Sequence, residues 1–152
     1  MKFLVDTCGW LEWLTDGVLA DEFAPYLNDS DNLIIPTSIQ YELHKWICRE
    51  RDVVLAMEII ELTQQSTVIP LTQSLALLAS ELSQKHKLSF ADSIIYATAQ
   101  QESVKLITSD NHKKKMGEWK LSVFRPEIFD SSTFFDISMG INSPVSRFRL
   151  LS

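Results

Sequence analysis

Phe3-Leu4-Val5-Asp6 decides how the chain is to be read, because a short apolar run stops abruptly at a carboxylate. Four more runs share its texture: Leu33-Ile34-Ile35, Thr67-Val68-Ile69, Lys105-Leu106-Ile107-Thr108 and Leu121-Ser122-Val123-Phe124. Apolar residues recur at helical spacing between them. One such stripe is Val53, Val54, Met57 and Ile60; a second is Leu75, Leu78, Ala79 and Leu82; a third is Ile94, Ile95, Thr98 and Ala99. Strands alternating with helices predict an α/β fold with a central parallel sheet of about five strands flanked by helices. Thr37 with Gln40, and Ser89 with Asp92, have the spacing of capping boxes and predict two helix starts. The polar cluster Asn28-Asp29-Ser30-Asp31-Asn32 predicts a turn.

The 152 residues suit one core, and a hydrophobic fraction of 45% excludes disorder as a description of the whole chain. No apolar run reaches the roughly 18 residues of a membrane span. The first strand meets Asp6 too early to hold the apolar stretch of a signal peptide. Two cysteines, Cys8 and Cys48, do not make a disulfide framework, so a reduced, cytoplasmic setting is expected. The net charge of −6 argues against a protein that holds nucleic acid by bulk neutralisation of phosphates. It leaves open an enzyme that meets phosphates through metal ions. After Pro126 neither period persists, so residues 1–126 read as the domain and 127–152 as an appended tail.

The placement of the acids carries the chemistry. Asp6 follows the first strand, and Asp110 stands two residues after the run that ends at Thr108. Glu42 lies about one turn inside the helix after the second strand, and Asp92 in the first turn of the helix opened by Ser89. Strand ends and the helix starts that follow them share one edge of a parallel sheet, where ligand sites form. Singly, each acid has a structural reading: a turn former for Asp6 and Asp110, half of a cap for Asp92, a solvated helix residue for Glu42. Two of them lean away from water, since Asp92 shares a face with Ile95, Tyr96 and Ala99, and Glu42 is flanked by Ile39, Leu43 and Trp46. Four acids at one edge repel unless a cation neutralises them, and hard oxygen ligands favour Mg²⁺ or Mn²⁺ over zinc.

Four segments taken in order resemble a PIN-domain ribonuclease of the VapC type, the toxin of type II toxin–antitoxin pairs. They are Phe3-Leu4-Val5-Asp6-Thr7, Pro36-Thr37-Ser38-Ile39-Gln40-Tyr41-Glu42, Phe90-Ala91-Asp92-Ser93-Ile94-Ile95-Tyr96-Ala97 and Leu106-Ile107-Thr108-Ser109-Asp110. The resemblance covers residues 1–126 and implies a three-layer fold. It implies that Asp6, Glu42, Asp92 and Asp110 form the catalytic, metal-binding set for Mg²⁺ or Mn²⁺, with Thr7, Thr108 and Ser93 as supporting hydroxyl groups. It further implies an RNA substrate, an antitoxin that blocks the cleft, and a homodimer, which the apolar faces around 53–60 and 75–82 also suggest. The chain departs from the family at Cys8, where Ser or Asn is common, and at Lys113-Lys114-Lys115, near which an aromatic is common. Arg49, Lys113 and Lys114 are the candidate charges for positioning RNA phosphates. His44, His86 and His112 have no metal-site spacing, and Trp10, Trp13 and Trp46 are expected in the core.

Metal-assisted phosphodiester hydrolysis is the expected chemistry. A receiver-like Mg²⁺-binding signalling domain is the first rival, but it would pair acids early in the chain, where Asp6 stands alone. A catalytically inactive PIN-like scaffold that only binds partners is the second, and the presence of all four acids argues against it.

Overall fold

Every strand candidate forms a strand in the computed structural model, which describes residues 1–109 and the backbone of 121–124. The strands are β1 (Phe3–Val5), β2 (Leu33–Pro36), β3 (Thr67–Ile69), β4 (Lys105–Ser109) and β5 (Leu121–Phe124). They form one sheet in the order β3-β2-β1-β4-β5. The first four are mutually parallel, with Leu4 opposite Ile34 on one side and Leu106 on the other. β5 differs from the parallel arrangement expected and runs antiparallel to β4, with Ile107 opposite Val123. A parallel return needs a crossover of a dozen or more residues, usually helical, and residues 110–120 fall short of that. The tail at 127–152 lies outside the described residues.

Among the described residues six helices complete the order: α1 (Thr7–Leu14), α2 (Ala20–Leu27), α3 (Thr37–Glu50), α4 (Val53–Thr63), α5 (Gln73–His86) and α6 (Phe90–Gln101). The main core gathers Leu4, Val5, Trp10, Phe23, Ile35, Leu43, Ile95 and Ile107 around the sheet. A second cluster joins Leu75, Ala79 and Leu82 of α5 to Ile94, Tyr96 and Ala97 of α6. The two clusters therefore claim opposite faces of α6, and Asp92 to Ala99 are all buried. A helix sandwiched in this way is apolar all round rather than along one stripe. Trp10 and Trp46 are buried, and Trp13 packs against the same core.

Ser89 caps α6 as expected, accepting the Asp92 backbone N–H at 3.2 Å. Thr37 does not cap α3. Pro36 holds the extended cap position, so Thr37 is already helical, and its hydroxyl accepts the Leu71 N–H at 3.1 Å instead. Gln40 reaches away from the helix start to donate to Thr63 Oγ1 at 2.8 Å. On α4, Ala56 is buried while Val53, Val54 and Met57 remain exposed. Among the described residues no helix is long and apolar enough to cross a membrane.

The site edge depends on how closely α1 lies on the sheet. A Cβ at Gly9 would stand 2.5 Å from Val5 Cγ1 and 2.6 Å from Phe23 Cε1, both on fully buried side chains. Gly9→Ala gains ~1 kcal/mol of helix propensity but meets overpacking of about 1–3 kcal/mol with little room to relax. Thermal melts should show a lower Tm for this variant; an unchanged or higher Tm would mean that α1 is free to lift.

Candidate active site

Asp6 is fixed from three directions. Its backbone N–H continues the ladder between β1 and β4 by donating to the Ile107 carbonyl at 3.1 Å. Its side chain caps α1, where Oδ1 accepts the Gly9 N–H at 2.9 Å. The Thr108 hydroxyl at the end of β4 donates to Oδ2. A short strand that stops at an Asp thus becomes a carboxylate seated between a helix N-terminus and a neighbouring strand end, 3% exposed.

Asp92 arrives from α6 and is 1% exposed. Its Oδ2 accepts the Ser89 hydroxyl at 2.6 Å, so the cap orients the acid as well as starting the helix. Glu42 arrives from α3 and accepts the hydroxyl of Thr7, the residue next to Asp6. Burial first, and then the charges of Asp92 and Glu42, push the Asp6 carboxyl up to about 8 against the pull of the Gly9 N–H. Burial also raises Glu42, opposed by the Thr7 hydroxyl and by the charge of Lys45. The Cys8 thiol is pushed up by burial and by Asp6, Asp92, Glu42 and Glu12, which keeps it protonated and a poor nucleophile. Three acids from β1–α1, α3 and α6 therefore share one electrostatic neighbourhood.

The donor chemistry fits a hard divalent cation: carboxylate oxygens, hydroxyl groups that orient them, and burial that penalises them when charged and alone. Among the described residues, no group of three or more His, Cys, Asp or Glu side chains is arranged to hold a metal ion. Asp110, the fourth acid expected here, lies outside the described residues, as do Lys113, Lys114 and His112.

The supporting residues divide. The Thr7 and Thr108 hydroxyl groups bind acids, whereas the Ser93 hydroxyl donates to the Phe90 carbonyl at 2.8 Å. The exposed Arg49 turns its Nε to Glu50 at 2.7 Å. The cation that acts on Glu42 is Lys45, three residues on, which the sequence reading passed over although the spacing puts the two on one helix face. His44 lies against Cys48 and His86 against Tyr96.

A carboxyl raised on folding binds more protons in the native state than in the unfolded one. Its stabilising contribution is then complete below the ordinary Asp value of 3.8 and lost as pH rises through about 8. Denaturant melts of the metal-free protein should accordingly weaken from about pH 5 to about pH 8.5 by on the order of a few kcal/mol. Asp6→Asn should flatten that slope. A wild type whose stability is level or rising over this range would show that Asp6 is ionised and solvated.

The PIN domain family profile matches residues 3–118. Among solved structures, the fold is similar to that of VapC20 from Mycobacterium tuberculosis, described as a Sarcin-Ricin loop cleaving toxin. The TM-score is 0.60 at 17% identity, over 76% of this chain and 95% of that one. VapBC2 from Rickettsia felis, bound to a promoter DNA fragment, gives 0.60 at 14% identity, over 76% and 92%. A toxin–antitoxin complex from Klebsiella pneumoniae gives 0.57 at 23% identity, over 69% and 83%. No curated protein sequence matches. With the profile spanning β1 to β4, the helices between them and all three described acids, the chain belongs to the PIN domain family.

Proposed function

We propose that the chain is a metal-dependent ribonuclease acting in the cytoplasm as the toxin of a toxin–antitoxin pair. The observation that carries this reading is the burial of both Asp6 and Asp92, with desolvation first and then the charges of Asp92 and Glu42 raising the Asp6 carboxyl to about 8. Family membership and the fold shared with VapC20 and the VapBC complexes support it.

Asp6, Glu42, Asp92 and Asp110 would hold Mg²⁺ or Mn²⁺, which supplies Lewis acidity and a hydroxide-like nucleophile for in-line attack on a phosphodiester. The chain's own part is to keep the carboxylates in place before the ion comes. The Gly9 N–H and the Thr108 hydroxyl pin both oxygens of Asp6, the Thr7 hydroxyl pins Glu42, and the Ser89 hydroxyl pins Asp92. The raised Asp6 carboxyl holds a proton that would have to leave before a cation could bind, so loading would weaken as pH falls. With Cys8 kept protonated among the acids, hydrolysis by activated water is favoured over a covalent enzyme intermediate.

An antitoxin that covers the acidic cleft is the proposed protein partner, supported by the fold shared with the toxin–antitoxin complexes. A homodimer is the proposed assembly, since Val53, Val54 and Met57 on α4 and Leu77 on α5 are left in solvent.

Incubating total RNA with the protein in Mn²⁺ and mapping the new ends should show discrete cleavage that EDTA abolishes. Asp6→Asn and Asp92→Asn should each lower the rate by orders of magnitude, because the position of the ion fails first. Cleavage that persists in EDTA, or in both variants, would overturn the reading. For the assembly, light scattering should give twice the chain mass of 17.4 kDa, and a monomer at high micromolar concentration would contradict the dimer.

A further inference from the structure

Two large aromatic side chains stand in solvent beside the acids. Tyr41, 64% exposed, immediately precedes Glu42 on α3, and Phe90, 78% exposed, opens α6 two residues before Asp92. Neither belongs to a core cluster. α3 starts directly after β2 and α6 runs back to the start of β4, so the two helix starts that carry the rings lie at the carboxyl edge of the parallel strands, where Glu42 accepts the Thr7 hydroxyl beside Asp6. Lys45, one turn beyond Tyr41, holds its Nζ 5.8 Å from the centre of that ring, and its charge also acts on Glu42. Ring and ammonium thus share the exposed side of α3, with the partly buried Glu42 between them in the chain.

A single exposed aromatic needs no explanation. Two of them flanking a cleft of acids, one with a cation against its face, form a different pattern. Aromatic faces stack on unpaired bases whatever their sequence, and an ammonium beside them meets the backbone phosphate between bases. An apolar protein surface would leave Lys45 unmatched, whereas a polyanion drawn to the cation-loaded acids would match it. We propose that Tyr41, Lys45 and Phe90 form the rim that holds unpaired nucleotides on either side of the scissile phosphate, the two rings under bases and Lys45 on a phosphate. This rests on the ribonuclease reading for the chemistry but not for the binding.

The test uses a short fluorescein-labelled single-stranded RNA in two arms. Cleavage is followed in Mn²⁺, and binding is followed by fluorescence anisotropy in Ca²⁺, with the annealed duplex as competitor. Tyr41→Ala and Phe90→Ala should each raise KM and Kd about tenfold, the size of one lost base–aromatic stack, while kcat changes little. Tyr41→Phe and Phe90→Trp keep an aromatic face and should restore both constants, whereas Phe90→Leu should not. Lys45→Gln should make the salt dependence of binding shallower by about 0.7 in log–log slope, the loss of one phosphate contact to a single strand. The duplex should compete poorly. Both rings are exposed, so unchanged melting temperatures would show the variants to be folded.

If wild type cleaves nothing yet binds the oligonucleotide with this pattern of variants, the ribonuclease reading fails and the rim stands. If wild type cleaves and the alanine variants keep its KM and Kd, the rim is overturned. Loss of binding to a co-expressed protein partner with RNA binding intact would overturn it too, and would assign the two rings to a protein interface. Absence of both cleavage and binding would overturn both readings.

Discussion

Burying Asp6 and Asp92 together at the carboxyl edge of the sheet sets desolvation and like-charge repulsion against folding, and much of the local structure is arranged around that cost. Burial and two other carboxylates raise the Asp6 carboxyl, and the Gly9 N–H lowers it. Hydrogen bonds from Gly9, Thr108, Thr7 and Ser89 orient the acids without cancelling their charge. Such a site is poised for whatever brings positive charge, whether a proton at low pH or a divalent cation. The proposed cation would compete with the proton for the same oxygens, so the constraint that raises the Asp6 carboxyl would also set how the site loads.

The topology supplies that constraint cheaply. β1 lies between β2 and β4, so the residue after Val5 enters the middle of the sheet edge, where the neighbouring strand end brings Thr108 and the next helix begins at Thr7. α6 is held on one face by the sheet core and on the other by α5, which keeps its first turn, and Asp92 with it, out of water. Gly9 lets α1 lie against Val5 and Phe23, close enough for the helix start to close on Asp6. Core packing thus fixes where the charges sit.

Much of this arrangement was legible in the residues. The strands were short apolar runs with clear ends, and the stripe Ile94, Ile95, Thr98, Ala99 pointed to a helix. The placement of Asp6, Glu42 and Asp92 followed from strand ends and helix starts. What escaped depended on contacts distant in sequence. Thr37 is drawn to Leu71 and Gln40 to Thr63, so a local capping pattern yields to tertiary partners. The direction of β5 depends on the length of the connection before it rather than on its own residues. The stripe on α4 has the right period for a core helix, yet Ala56 is buried while Val53, Val54 and Met57 stay in solvent. Arg49 and Lys45 show the same limit at the site: both are cations on α3, and only the folded arrangement shows that Arg49 pairs with Glu50 while the charge of Lys45 acts on Glu42.

The central claim is that Asp6, Glu42 and Asp92 form one cation site whose repulsion the fold bears when the site is empty. Thermal melts of wild type and Asp92→Asn above pH 8, each in EDTA and in Mn²⁺, test it most directly. The substitution keeps an acceptor for the Ser89 hydroxyl and removes one charge, so it should stabilise the ion-free protein by on the order of 1 kcal/mol. Wild type should gain about 2.7 kcal/mol at a Mn²⁺ concentration a hundred times Kd, and the variant should lose most of that gain. A variant that is less stable in EDTA and keeps the full Mn²⁺ shift would reduce Asp92 to a helix cap and contradict the shared site.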